Sequence, residues 1–478
     1  MRRTGPLRIG LLAILALGCV PVYGDGGGDR EKELEQLVRE LTARIDRLER
    51  RIDELENRSG GGVPPSRIEK LERKVEKIQE MTPSTDSEEW KRFHAWMNNP
   101  LTMRTFWKDA LHFESLDKSI RLKIGGRIHN DYAYFVEDGD VERRIGSDFD
   151  DGTEFRRARL YIAGTLYHDI EFKAQYDFAG GDADFKDVYV GVKHVPYVGN
   201  VRVGQLKEPF GLEELTSSNY ITFMERSLVG VFTPGRHAGV MVHDHARNGR
   251  MTWAAGVFRQ TDSFGDNTDG RNYDVTARVT GLPIYEDDGK RLLHLGLAYT
   301  HRNYEDDRAR FRERPESHLS PRVVDTRAFP AEYGDFLGVE AAWVDGPFSL
   351  QGEYVQAFVE GRTRRVGDPR FWAASLQASY FLTGEHRPYK TSSGTFTRVK
   401  PLRNFGRDGG PGAWELAARY SYLNLNDGLV RGGRLHDLTL GVNWYWNPNL
   451  RMMWNYVLAD PSRGGDVSIF QWRIQLAF

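Results

Sequence analysis

Residues 154–226 read EFRRARLYIAGTLYHDIEFKAQYDFAGGDADFKDVYVGVKHVPYVGNVRVGQLKEPFGLEELTSSNYITFMER. Arg157, Arg159 and Tyr161 fall on one side of the first run, and Ala158, Leu160 and Ile162 on the other. A strand with guanidinium groups on one face and aliphatic groups on the other belongs between water and an apolar medium. The next run repeats the scheme, with Glu171, Lys173, Gln175 and Asp177 against Phe172, Ala174, Tyr176 and Phe178. Only residues 167–169 separate the two runs, which specifies a hairpin. Two further strands, 185–195 and 201–207, lead to a break at Pro209. The segment 208–235 then carries Glu208, Glu213, Glu214, Glu225, Arg226 and several hydroxyls before alternation resumes near Ala238. A long connection so placed is expected to fold into a barrel and narrow it.

Read as residues, this is one wall of a β-barrel. Its blocks FRRARLY (155–161), EFKAQYDFAGG (171–181), FKDVYVG (185–191), the run 199–228 and TPGRHAGV (233–240) resemble the phosphate-selective porin family of bacterial outer membranes. The resemblance is dense over residues 121–239, thinner to Phe478 and absent before about Trp107. It implies a trimeric channel for anions such as phosphate, with about sixteen strands, in the bacterial outer membrane.

Composition agrees with a barrel without requiring one. Hydrophobic residues make up 40% of the chain and the mean hydropathy is −0.56, so no stretch beyond the N-terminus is apolar enough for a membrane helix. A transmembrane barrel escapes that test because half of each strand faces water.

Arg2, Arg3 and Arg8 precede the apolar run 9–17, and Val22-Tyr23-Gly24 puts small residues where a signal peptidase wants them, which reads as a signal peptide over residues 1–24. Its removal takes away three arginines and no acids, moving the formal charge from −2 to −5. Cys19 is the only cysteine and leaves with the leader, so no thiol chemistry is expected. Residues 25–81 form the second region. Leu34, Val38, Leu41, Ile45, Leu48, Ile52 and Leu55 are spaced four and three apart, the seam of a coiled coil, and GGGVPP (60–65) breaks it. Such a seam in isolation favours parallel dimers, whereas the resemblance implies a homotrimer. Residues 82–119 form a linker in which Trp90, Phe93, Trp96 and Met97 sit at the spacing of an amphipathic helix.

The barrel is expected over residues 120–478. Alternating segments open near Arg121 and, past the segment 208–235, near Ala238, Arg250, Arg271, Arg291, Tyr333, Pro347, Arg370, Ala413, Leu435, Leu450 and Val467. With the four strands above they make about sixteen. Long connections alternate with tight turns, the mark of an outer-membrane barrel. The connection 383–412 dissents, being long where a turn is due; it is either an inward plug or a failure of register. The last strand is the cleanest, with Phe470, Trp472, Ile474, Leu476 and Phe478 on one face and Gln471, Arg473 and Gln475 on the other. Its terminal Phe478 resembles the signal read by the barrel-assembly machinery.

Arginine facing lipid costs about 2–4 kcal/mol at mid-membrane, so the arginines must point inward whether or not they carry ions. A hydrophilic wall of paired charges would use the same residues. Clustering favours anions. Arg156, Arg157, Arg159 and Lys173 share two consecutive strands beside the strand that leads to Lys207, and Arg127 faces the same lumen. These six are the candidate pore-constriction residues, and the resemblance assigns ion binding to Arg156, Arg157 and Lys207. No P-loop, HExxH, GxSxG or paired CxxC is present, and the only metal-like pair, His243-Asp244-His245, falls at an expected turn, so neither an enzyme nor a metal or other cofactor is expected. The loop 301–327 balances its bases with acids, which argues against nucleic acid. The alternative function is a structural barrel whose coiled-coil arm tethers the envelope, with only unselective permeability.

Overall fold

The computed structural model describes residues 102–478 apart from 268–272, 407–408 and 463–464. The expected signal peptide, the coiled-coil arm and the first part of the linker lie outside the described residues. Two short strands, Met103–Trp107 and Leu111–Ser115, come first among the described residues. Sixteen longer strands follow among the described residues: β1 (Arg121–Glu137), β2 (Gly152–Leu166), β3 (Ile170–Asp177), β4 (Asp184–Val195), β5 (Gly199–Lys207), β6 (Arg236–Ala246), β7 (Met251–Arg259), β8 (Asp274–Glu286), β9 (Arg291–Asn303), β10 (Phe329–Asp345), β11 (Phe348–Gly361), β12 (Arg370–Phe381), β13 (Ala413–Asp427), β14 (Val430–Tyr445), β15 (Leu450–Pro461) and β16 (Val467–Ala477).

Each strand pairs antiparallel with its sequence neighbours, and β16 returns to β1 from Val467↔Glu137 to Ala477↔Arg127. Phe478 completes that seam, its N–H donating to the Gly126 carbonyl (3.0 Å) and its own carbonyl accepting from the Gly126 N–H (2.6 Å). Closure leaves no strand edge, which is what a spanning sheet requires in lipid. No described helix is long and apolar enough to cross a membrane.

Alternation sorts the two faces as the sequence demands. On β14, Leu438 and Leu440 are exposed outward while Asp437, Thr439 and Asn443 are buried inward. Trp414 and Trp444 stack on the outer face (4.9 Å), as do Tyr132 and Trp472 across the seam (4.1 Å); aromatic pairs of this kind suit the interfacial girdles of a membrane barrel. One strand slips. Phe155 and Leu160 of β2 are both exposed although five positions apart, so an extra residue is accommodated between them, the signature of a bulge. Strict alternation would turn Arg156 outward with Ala158; the slip brings Arg156 and Arg157 into the lumen together.

Among the described residues, three connections enter the barrel. Segment 208–235 contains a short helix, Leu212–Leu215, and is fixed to the wall β10–β16. Buried backbone must be satisfied, and inward side chains do so: Asn443 donates to the Thr222 carbonyl (2.8 Å), Arg451 to Ile221 (2.9 Å) and Gln475 to Asn219 (3.1 Å), while Asn455 accepts from the Met224 N–H (2.9 Å). Its aromatic rings sit on glycines. A Cβ on Gly338 would lie 2.8 Å from Phe210, and one on Gly441 would lie 3.0 Å from Phe223.

Segment 304–328 enters from the same end, where Glu316 meets Arg419, Ser421 and Thr439 of β13 and β14. The third segment, 382–412, resolves the dissenting connection: the register holds and the segment folds inward from the tight-turn end. Arg278 donates to its Gly394 carbonyl (2.9 Å), His294 bonds Tyr389 (2.6 Å), and Phe396 shares an apolar cluster with Leu212. The expected start of a strand at Leu435 moves to Val430, because β13 and β14 run on together to a tight connection at Gly428-Leu429.

Replacing Gly338 or Gly441 with Val should lift segment 208–235 off its seat and push it across the lumen. Single-channel conductance should fall while the barrel keeps its strand content by circular dichroism; unchanged conductance in both variants would show that the two rings do not hold the segment.

Candidate functional site

The lumen has a wet side and a dry side. Along β13–β16 the charged side chains are sealed, Arg419 being 1% and Arg473 0% exposed. Along β2–β6 several keep contact with solvent, with Arg202 at 26%, Lys173 at 24% and Arg236 at 19%, while Arg157 and Asp177 are buried. Segment 208–235 is fixed mainly to the dry wall, although Arg127 of β1, Arg156 of β2 and Lys207 of β5 also bond it, so the passage is placed along the solvent-touched side chains of β2–β6.

Three carboxylates on that passage each serve more than one cation. Asp187 of β4 accepts from Lys173 of β3 and from Arg236 of β6 (2.7 Å). Glu214 of segment 208–235 pairs with Lys207 (2.8 Å) and Arg226 (2.9 Å). Glu225 pairs with Arg156 (3.0 Å), Arg157 (3.5 Å) and Arg473 (2.8 Å), and Arg473 reaches Asp131 as well (2.6 Å). In every cluster the cations outnumber the acids by one. Burial alone would raise the two carboxyls of the inward segment, but the cations outweigh it: Arg226 and Lys207 bring Glu214 down to about 2, and Arg156, Arg157 and Arg473 hold Glu225 well below the usual carboxylate range. Both stay ionised, each shared between two or more cations.

The remaining candidates complete the picture. Arg159 pairs with Asp177 (2.7 Å), a one-to-one match. Arg127 has no carboxylate partner among the described residues; it donates to Ser218 (2.7 Å) and Ser217 (3.3 Å), and its Nε has no hydrogen-bond partner among them. Lys123 and Lys173 flank the Tyr161 ring at 5.8 and 5.9 Å from its centroid. At the long-connection end, segments 208–235 and 304–328 enclose a cavity of about 250 Å³ whose lining includes Arg156, Arg226, Glu313, Arg314, His318 and Arg322.

The structure thus gathers all six sequence candidates on one side, although Arg157 is sealed at 3% exposure and acts as a buried anchor for Glu225. The sequence reading missed Arg226, Arg236, Ser217 and Ser218 as site residues, and it missed that the acids of segment 208–235 would be shared. Arg236 could have been found, since it is the first strand residue after the inward segment. His243-Asp244-His245 lies on β6, ahead of the turn rather than in it. A different group, Glu208, His237 and Asp274, brings its ligand atoms within 4.8 Å of one another. Its carboxylates already have donors: His237 bonds Glu208 (2.6 Å), Thr276 donates to Glu208, and Gln260 donates to Asp274 (3.0 Å). This group closes the neck of segment 208–235.

A closed barrel of sixteen strands with this lumen matches one family in its sequence profile, which covers residues 122–478. The chain belongs to the phosphate-selective porin O and P family. It is a porin of the bacterial outer membrane. Porin O of Pseudomonas aeruginosa is 28% identical over 398 residues, covering 74% of this porin and 86% of its own chain. A protein of Caulobacter vibrioides is 30% identical over 395 residues, 78% of this chain and 76% of that one. Among solved structures, the anion-selective porin from Comamonas acidovorans overlays with a TM-score of 0.47 at 15% identity, covering 75% of this porin and 100% of that chain.

Wet and dry ion pairs in this porin should respond differently to mutation. Arg419→Met leaves Glu213 and Glu316 buried without their shared cation and should destabilise the fold by about 3–5 kcal/mol, whereas Lys173→Met, in a partly solvated pair, should cost about 1 kcal/mol or less. Heat-modifiability on gels reads this as a lower unfolding temperature for Arg419→Met alone.

Proposed function

We propose that this porin is a passive channel, not an enzyme, and that it favours small anions, with oxyanions such as phosphate among its solutes. The observation that carries the reading is the excess of one cation over acid in each of three shared-carboxylate clusters, two of them touched by solvent and the third tied to the closing seam through Arg473. A narrow passage with low-dielectric walls focuses such a field and concentrates counter-ions. Phosphate needs donors that replace its water as well as charge. Arg127, with its unpartnered Nε beside Ser217 and Ser218, and Lys123 and Lys173 about Tyr161 are the groups suited to supply them. An envelope tether would have no use for a wet, charged side passage. The family resemblance supports a homotrimer.

Reversal potentials in a potassium chloride gradient test the reading. Arg127→Glu exchanges +1 for −1, and at an effective dielectric of about 20 an ion some 5 Å away feels a change of several kcal/mol before screening. The chloride preference should drop or invert. Lys207→Glu should act in the same direction, while Arg451→Gln, on the dry wall, should change little. Phosphate added to the wild type should reduce chloride current at millimolar concentration. A wild type without chloride preference, or an unchanged reversal potential in Arg127→Glu and Lys207→Glu alike, would overturn the proposal.

A further inference from the structure

The cavity at the long-connection end holds a carboxylate that the passage clusters do not use. Glu313 lines it and is half-buried. A small hairpin fixes its place, Arg312–Glu313 pairing with Val324–Asp325, and the Val323 N–H donates to the Glu313 carbonyl at 3.0 Å. The other carboxylates in the lining are neutralised by contact: Glu214 by Lys207 and Arg226, Glu225 by three arginines, Glu316 by Arg419. Among the described residues no cation pairs with the Glu313 side chain; its one bond is from the Arg314 N–H, at 2.8 Å.

We propose that Glu313 is a selectivity-determining residue of this porin, a protonatable charge at the mouth that weakens anion preference when ionised and restores it when protonated. The proposal rests on the anion-favouring reading above. Arg156 and Glu225 belong both to the cavity lining and to the third passage cluster, so the charge of the cavity acts on ions approaching the passage. Around Glu313 lie Arg314 and Arg322 from its own segment, Glu214, Glu225 and Arg226 from segment 208–235, Arg156 from β2, and Asp437 from β14, which packs on the Glu313 hairpin and accepts from the Glu316 N–H. Glu316 and His318 complete the titratable lining, and His318 is held to Glu154 at 2.8 Å. Burial is the largest influence on Glu313 and pushes its carboxyl up to about 7, despite the opposing pull of Arg322 and Arg314. Below that pH the group is neutral and the arginines of the cavity act alone; above it the group cancels one of them.

The test is the chloride-to-potassium permeability ratio of the purified porin in planar bilayers, from about pH 5 to about pH 9. The ratio should fall about twofold or more as pH rises through neutrality, since a full charge is gained at a confined mouth. Glu313→Gln and Glu313→Ala should both hold the ratio at its low-pH value throughout, and His318→Gln should keep the fall. A flat wild-type profile, or a fall that persists in both Glu313 variants, overturns the role of Glu313. The two readings fail separately: a wild type that prefers potassium at every pH refutes the anion-favouring channel, whereas the pH step and its loss on substitution are read from changes in the ratio whatever its absolute value.

Discussion

The guanidinium of Arg473 holds together two things that otherwise have no reason to coincide. It sits on the last strand and binds Asp131 on the first, so it spans the closing seam of the barrel. The same group donates to Glu225 and to the Met224 carbonyl of segment 208–235. A cation sealed from water is tolerable only when carboxylates and further acceptors surround it. The acceptors exist only after the barrel has closed and the segment has entered. Closure and loop seating are therefore coupled through one side chain, and Glu225, once fixed, becomes the acid on which Arg156 and Arg157 converge.

Much of the barrel was legible because a membrane strand has one simple rule, apolar outward and polar inward. Leu438 to Trp444 and Phe470 to Leu476 obey it without exception, and strands followed wherever they did. Arg156 was legible as part of a cluster but not as a lumen residue in its own right, because a bulge is a property of two strands and one strand's pattern does not reveal it. Segment 382–412 could be read as a plug or as a failed register. What decides it is contact with Arg278 and His294, on β8 and β9 about a hundred residues earlier in the chain, and no local periodicity encodes that. The acids of segment 208–235 were visible, but their partners were not. Lys207 and Arg226 flank Glu214 in sequence, whereas Glu225 takes Arg156 and Arg473 from the two ends of the barrel's sequence, brought together only by closure.

Sharing of carboxylates reconciles two demands on the wet wall. Unpaired cations packed together would repel one another and destabilise the wall, and fully paired ones would leave no field for a passing ion. An acid placed between two bases, as Asp187 is between Lys173 and Arg236, orders both side chains and still leaves one positive charge. Arg127 achieves the same end differently, with hydroxyls in place of a carboxylate.

The position of the passage follows from which polar residues occupy the inward positions of each wall. On β14–β16 these include the amides Asn443, Asn455, Gln471 and Gln475, short groups that both donate and accept. Such groups satisfy an irregular backbone, and each of the four bonds a main-chain group of segment 208–235 or 304–328. On β2–β6 the inward positions are richer in Arg, Lys, Asp and Glu, beside the amides Gln175 and Gln205, and these charged groups mostly bind one another. Segments 208–235 and 304–328 settle against the amides of β14–β16 together with the sealed Arg419, Arg451 and Arg473, and the charges of β2–β6 are left less covered. Exchanging the two sets of side chains between the walls would move the passage across the barrel without altering a single strand.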